Sequence, residues 1–235
     1  MKTKDGTTVV LTFEDVCFAP ETEKVGALDG VTFSVAAGKL MLILSDEEGT
    51  LDPLCDLAEG LVWPDSGMVA FQGVDWARMP ADDQVSTRGR IGRVFASQGW
   101  VSNLGLYDNV TLAQRHHTVR SEDEIRRAAM RLGLALGLQA IPDLPPDTMP
   151  ADVLKKAECV RAFLGRPALV LLEGPENGMD REATKALVSI VNSAVAGGVS
   201  VVWMTKSAAV YRDTSLENPS RYTLKSGKIR SESEG

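Results

Sequence analysis

The sequence predicts an α/β fold built on a parallel sheet, and three observations carry that prediction. Two continuous apolar runs, residues 40–44 and 168–172, have the length and composition of strands buried on both faces. A third run, residues 199–204, is rich in valine and just as apolar. Helical patterns alternate with these runs, which is the order of a parallel sheet with crossover helices. At 235 residues, 44% hydrophobic and 24% charged, the chain has ample material for a core.

In order along the chain, residues 8–13 alternate and are β-branched, which reads as a strand. Residues 31–35 alternate as well, and Ala37-Gly38 turns the chain into the 40–44 run. Residues 45–52 form a loop. A helix over 53–61 follows, opened by Asp52-Pro53, a favoured N-cap ahead of a favoured first-turn proline. Pro64-Asp65-Ser66-Gly67 is a turn before a strand at 68–71, and a short strand covers 90–95. These early strands describe a hairpin-rich sheet beside the parallel one.

Residues 97–160 change character. A helix is expected over 109–118, and Ser121-Glu122-Asp123-Glu124 has the form of a capping box ahead of a helical run at 125–138. Pro142, Pro145 and Pro146 make 141–147 a loop. Residues 153–164 read as an amphipathic helix with Lys155, Lys156 and Arg161 on its polar side. After the 168–172 strand come a helix at about 181–196, the 199–204 strand and a closing hairpin that turns at Ser226-Gly227. The helical middle is thus an insertion on an α/β core. There is no internal repeat.

The net charge of −7 argues against a general nucleic-acid or anionic-membrane surface and leaves room for a local basic patch. No apolar run reaches the roughly 18 residues of a membrane span. Residues 1–6 lead straight into a strand-like segment, without the pattern of a signal peptide. Cys17, Cys55 and Cys159 are odd in number and far apart, which fits reduced thiols better than disulfides or a zinc site. His116-His117 has no further metal ligands near it in sequence and reads as helix surface.

The strand, loop and helix of residues 40–61 have the layout of a phosphate-binding loop. Such a loop works through backbone N–H groups aimed at the anion, glycines that permit the geometry, and a lysine charge. This loop has one glycine, Gly49, no lysine, and the consecutive acids Asp46, Glu47 and Glu48. One carboxylate–phosphate pair at about 6 Å costs roughly 3 kcal/mol at an effective dielectric near 20. Two or three such pairs offset micromolar binding, which is worth about 8 kcal/mol. Asp52 as an N-cap satisfies the helix donors and dipole that otherwise attract phosphate. A cation site made of Asp46, Glu47, Glu48 and Asp52 lacks the spacing of a calcium loop.

Taken together and in order, several segments resemble the nucleotide-binding subunit of ATP-binding cassette (ABC) transporters, over nearly the whole chain. Residues 27–35 resemble that family's early core strands, and Gly60-Leu61-Val62-Trp63-Pro64-Asp65-Ser66-Gly67 the segment after its Walker A helix. Arg90-Ile91-Gly92-Arg93-Val94-Phe95 is similar to the strand entering the Q-loop, and Leu106-Tyr107-Asp108-Asn109-Val110 to the segment beyond it. Arg161-Ala162-Phe163 and Arg166-Pro167 fall where the signature helix ends, and Gly178-Met179-Asp180 resembles the D-loop. The resemblance implies an ABC ATPase-like fold: a P-loop NTPase core with a parallel sheet, an antiparallel β subdomain and a helical subdomain insertion. It implies one domain over 1–235, with 1–95 and 161–235 as the core and 96–160 as the helical subdomain.

The chemical positions depart from the family pattern. The resemblance places the Walker A lysine on Leu51, its glycines on Ser45, Glu48 and Thr50, and the magnesium-binding hydroxyl on Asp52. The Q-loop glutamine falls on Ala96, with Gln98 nearby, and the signature Leu-Ser-Gly-Gly-Gln becomes Met149-Pro150-Ala151-Asp152-Val153. The Walker B aspartate falls on Glu173, the catalytic glutamate on Gly174, the switch histidine on Lys206 and the adenine-stacking aromatic on Ala19 or Pro20. Glu173 keeps a carboxylate able to hold magnesium, but Gly174 has nothing with which to polarise a water. Lys206 reads either as a point charge for a phosphate or as a solvated lysine, and Asp180 as the N-cap of the next helix. In the family, two subunits sandwich ATP between the Walker A of one and the signature of the other. This chain departs in both halves, which weighs against even an assisted ATPase.

The resemblance therefore implies a degenerate ABC transporter ATP-binding subunit, a pseudo-ATPase with a structural or regulatory role in a membrane transport complex. No catalytic residue, metal ligand or cofactor is expected. Two alternatives stay open: an active transport ATPase with a non-standard site that uses ATP and Mg, and a soluble adaptor reusing the fold. The implied partners are a membrane permease subunit and a second cassette, in a homodimer or a heterodimer with another ABC ATPase, and not nucleic acid. The implied location is cytoplasmic, or peripheral at the inner face of the membrane. Trp100, Val101, Leu104 and Leu106 are candidate anchors on the surface that receives a permease's coupling helix, against the plainer reading that they pack inside the helical part.

Overall fold

The structure, a computed structural model, describes residues 8–20, 26–45, 51–97 and 99–232, with residues 51 and 52 as backbone alone. The chain begins with strands β1 (Val9–Phe18), β2 (Leu28–Ala36) and β3 (Leu40–Ser45), then helix α1 (Leu51–Ala58). Strands β4 (Ser66–Phe71) and β5 (Val74–Asp75), helix α2 (Ala81–Arg88) and strand β6 (Ile91–Val94) follow. The helical middle consists of α3 (Leu106–His117), α4 (Glu122–Ala135) and α5 (Ala151–Phe163). The chain returns through β7 (Leu169–Glu173), α6 (Arg181–Ala196), β8 (Ser200–Thr205), α7 (Ala208–Tyr211), β9 (Ser220–Lys225) and β10 (Lys228–Ser231).

Strand alternation sets the layers. Leu40 and Leu42 of β3, Val170 and Leu172 of β7, and Val201 and Trp203 of β8 enter one hydrophobic cluster together with the cores of α3, α4, α5 and α6. Their neighbours Met41, Ile43, Leu169, Leu171, Val202 and Met204 enter a second cluster with α1 and the antiparallel strands. Each strand is thus buried on both faces, which is why it reads as an unbroken apolar run. The large sheet has the order β10-β9-β3-β8-β7-β6, parallel from β9 to β6, with β10 antiparallel at its edge. The second sheet, β2-β1-β4-β5, is antiparallel. This α/β architecture matches the expectation. Among the described residues no helix is long and apolar enough to cross a membrane.

Local signals hold in several places. The capping box of α4 closes in both directions: Glu124 N–H donates to Ser121 Oγ at 3.4 Å, and Ser121 N–H donates to Glu124 Oε2 at 2.8 Å. Asp180 caps α6, accepting from Ala183 N–H at 2.7 Å. Ser226 and Gly227, with φ of +47° and +72°, make the two-residue turn that suits a hairpin's twist. All three thiols are free, with Cys55 and Cys159 buried.

Other expectations are corrected. Helix α1 starts at Leu51, so Asp52 lies inside its first turn and not ahead of it as an N-cap. Pro53 still falls within the first turn, where a missing N–H costs nothing. Helix α5 has no solvated lysine face: Lys156 is buried, and Lys155 bridges the Phe95 carbonyl (3.1 Å) and the fully buried Glu158 (2.7 Å). The helix is wedged between α3, α4 and the sheet, so its polar residues find partners inside. It lies so close to β6 that a Cβ on Gly92 would overlap the carbonyl oxygen of Ala162.

Candidate functional site

The carboxyl ends of β3, β8 and β7 finish at one level. Leu44 pairs with Thr205 and Glu173 with Met204, so Ser45, Glu173 and Lys206 emerge along one rim. The crevice outside such strand ends is where open α/β sheets hold ligands. Ser45 is buried as the last residue of β3, while Lys206 is exposed just past β8.

Glu173 is 1% exposed and does not face an open site. Its Oε1 accepts from Nε of Arg93, a residue of the neighbouring strand β6. Nη1 of the same guanidinium donates to Asp56 Oδ1 at 2.6 Å and to Glu59 Oε2 at 2.7 Å, both from α1 and its C-terminal end. The ring of Phe95 lies 4.5 Å from the guanidinium carbon. One arginine thus gathers three carboxylates from two elements and fills the space between strand end and helix.

The charges follow from burial. Arg93 stays ionised: desolvation lowers its pKa, but the carboxylates of Glu173 and Glu59 beside it outweigh that and raise it. Burial raises the Glu59 pKa, with Arg93 pulling the other way. Burial also pushes the Cys55 thiol well above its ordinary range, helped by the charge on Glu173, so a neutral thiol lines the knot. Its Sγ donates to Met204 Sδ at 3.7 Å.

Beyond Glu173 the chain turns at Gly174, whose φ is +53° and whose N–H donates to the Met204 carbonyl at 2.8 Å. A Cβ there would lie 2.5 Å from Asn177 Nδ2. The nearby carboxylate with a fixed place is Glu176, which the sequence did not single out. Its Oε2 accepts from the buried Trp203 indole at 3.1 Å, and its Oε1 from the Thr205 hydroxyl. These two bonds hold Glu176 against the end of β8.

The candidate partner surface divides. Leu106 is fully buried in the helical core, so it is no surface anchor. Trp100 is half-buried against that core, with the Arg161 guanidinium 4.5 Å from its ring centre. Val101 is 43% exposed, and Leu104 is partly buried. The backbone here is pinned by Asn109, another residue the sequence reading passed over. Its Oδ1 accepts from Val101 N–H at 2.8 Å, and its Nδ2 donates to the carbonyls of Val101 and Leu104 at 3.0 and 3.1 Å. Ala96 is exposed between β6 and this loop.

No protein-family model matches the chain. Curated relatives do. The intermembrane phospholipid transport system ATP-binding protein MlaF of Haemophilus influenzae is 26% identical over 163 residues, 69% of this chain and 62% of that protein. A phosphonates import ATP-binding protein of Synechococcus is 26% identical over 184 residues, covering 75% of this chain and 68% of its own. A methionine import ATP-binding protein of Mesorhizobium japonicum is 27% identical over 165 residues, 70% of this chain but 45% of its own length. Among solved structures, a dimeric ATP-binding cassette in a post-hydrolysis state with ADP and Pi superposes with a TM-score of 0.83 at 19% identity, over 94% of this chain and 97% of that one. An ATP-binding subunit of an ABC transporter gives 0.81 at 22% identity, over 96% and 91%.

The chain is similar in sequence to ABC transporter ATP-binding proteins and shares the fold of solved ATP-binding cassettes. The fold matches over nearly the whole length of the chain. Glu48 and Thr50, with Asp46, Glu47 and Gln98, lie outside the described residues, as do the side chains of Leu51 and Asp52. Ala19 and Pro20 offer no aromatic face. Magnesium does not fit at Glu173, because a guanidinium already holds that carboxylate and Gly174 beside it has no side-chain ligand. Among the described residues no group of three or more His, Cys, Asp or Glu is placed to hold a metal ion.

Proposed function

We propose that this cassette is a degenerate ABC transporter ATP-binding subunit, a pseudo-ATPase with a structural or regulatory role in a membrane transport complex. The observation that carries the reading is the Arg93–Glu173 pair: the protein supplies its own fixed cation at the strand-end carboxylate where the family resemblance puts magnesium. A bound metal would have to displace a buried guanidinium that also holds Asp56 and Glu59, leaving that charge without partners. Gly174 adds a second support, since it brings no general base.

On this reading the whole chain is one cassette domain, with a core over 1–95 and 161–235 and a helical part over 96–160. The helix α5 runs through the 160/161 junction and ties the two together. Its partners are a membrane permease subunit and a second cassette, identical or not, and its place is the cytoplasm or the inner face of the membrane. The names of the relatives, which are transport ATP-binding proteins, and the dimeric assembly of the structural neighbour support this setting. Trp100 and Val101, with Leu104 at their side, are the residues on the permease-facing surface.

Phosphate release from Mg-ATP tests the reading, measured on the purified chain alone and with an intact cassette and permease added. The expected result is no turnover attributable to this chain in either setting. Turnover by the purified chain that disappears with a non-hydrolysable analogue would overturn it.

A further inference from the structure

At the opposite pole of the sheet, where the parallel strands begin, three hollows meet around Arg166. The first, about 500 Å³, is an apolar groove between α4, the end of α5 and α6, lined by Leu132, Phe163, Ile190, Ala194 and Val199. The second, about 470 Å³, shares Leu132, Phe163 and Arg166 with it and adds Arg120 and Arg131. The third, about 380 Å³, continues past Arg166 to Arg90 and His117. These volumes lie in the range of small-ligand sites.

The sign of the charge is selective. The chain carries 32 acidic residues and a net charge of −7, yet no carboxylate is among the residues that line any of the three hollows. Four arginines are. Among the described interactions, Arg131 and Arg166 have no ion-pair partner, while Arg120 donates to Gln114 Oε1 at 3.4 Å. Arg166 is held with φ of +58°, a backbone shape that favours glycine, at the turn joining α5 to β7. The cluster thus concentrates uncompensated guanidinium at the mouth of an apolar slot.

We infer that this pole binds a single-chain anionic amphiphile, its alkyl chain along the groove between α4 and α6 and its carboxylate or phosphate head on Arg131, Arg166 and Arg120. An apolar slot alone would take many occupants. The guanidinium forks at its end commit it to an anionic head with planar or tetrahedral oxygens. The site is separate from the Glu173 rim and does not depend on whether the cassette hydrolyses ATP.

The test is calorimetric titration of the whole chain, below micelle concentrations, with laurate, dodecyl phosphate, decyl phosphate, dodecyltrimethylammonium and inorganic phosphate. The inference expects saturable one-to-one binding of laurate or dodecyl phosphate, weaker by about fourfold per methylene removed, and none of the cation or of phosphate alone. The stronger of the two anions tells whether a carboxylate or a phosphate head is preferred. Arg166→Gly, which keeps the turn, and the surface change Arg131→Glu should each weaken binding about 10-fold or more. Ala194→Trp should abolish it by filling the groove. Thermal melts of each variant confirm that it is folded. Equal binding of the cationic amphiphile, binding insensitive to all three changes, or no anion binding would overturn the inference. So would binding of an acidic amphipathic peptide without binding of either alkyl anion.

Discussion

Arg93 donates through Nε to Glu173 Oε1, joining two adjacent parallel strands at the rim where a cassette would face its nucleotide. The same guanidinium reaches Asp56 and Glu59 across the gap to α1. The Glu173 carboxylate is therefore held from within by a charge the chain carries itself. This pairing separates the present chain from a cassette with a vacant magnesium position.

Replacing Arg93 by methionine keeps its bulk but leaves three carboxylates facing one another. Breaking such a buried pair costs about 3–5 kcal/mol. The cost should depend on pH with a definite sign. Orphaned buried carboxylates have folded-state pKa values above those of the unfolded chain, as burial already does to Glu59. Stability is then retained below the unfolded carboxylate pKa and lost as pH rises through the folded one. Urea denaturation of Arg93→Met at pH 5 and pH 8 should show the smaller loss at pH 5.

Restoring the missing family residue should not restore chemistry. Gly174→Glu forces a side chain onto a backbone with φ of +53° and against Asn177. A destabilisation of about 1–3 kcal/mol is expected, with phosphate release still at background. Denaturant midpoints and a phosphate assay on the same preparation check both parts.

Glu176→Ala should unseat Trp203. The indole N–H would lose the carboxylate it donates to and stay buried, a cost of about 1–3 kcal/mol. Tryptophan emission in the native state should shift, because the carboxylate near the ring is gone. A stability change under 0.5 kcal/mol would contradict the assigned role.

The thiols should separate by burial. Cys17 should react with a thiol reagent in the native state, while Cys55 and Cys159 react only on unfolding. Burial raises both of their pKa values. A raised folded pKa gives stability that is present below the unfolded thiol value and lost above it. Stability should therefore fall as pH rises past about 9, and Cys55→Ala should flatten that fall.

Val101 is the clean probe of the permease surface. Its side chain is exposed while its backbone is held by Asn109, so Val101→Asp should leave the melting temperature within about 2 °C. Permease pull-down should drop. Trp100→Asp cannot separate binding from folding, because Trp100 packs on the helical core beneath Arg161.

The parallel strands were legible because burial on both faces leaves runs with no polar residue to misread. The span of α6 was legible because Asp180 marks its start. Helix α2 was not, since ADDQVSTR buries no residue and so has no apolar stripe. The face of α5 misled for the opposite reason: periodicity shows that a polar side exists, not that neighbouring helices will cover it. Arg93 was the hardest. Its partners lie 34, 37 and 80 residues away, and the available signal was an arginine inside a short strand. The roles of Asn109 and Glu176 were not legible because their partners, a preceding loop's backbone and a distant indole and hydroxyl, leave no pattern in the sequence.

Calorimetric titration of the purified chain with Mg-ATP tests most directly the proposal that the rim does not serve a nucleotide. No heat of binding is expected up to millimolar nucleotide, with or without magnesium. Saturable magnesium-dependent binding in the micromolar range would contradict it.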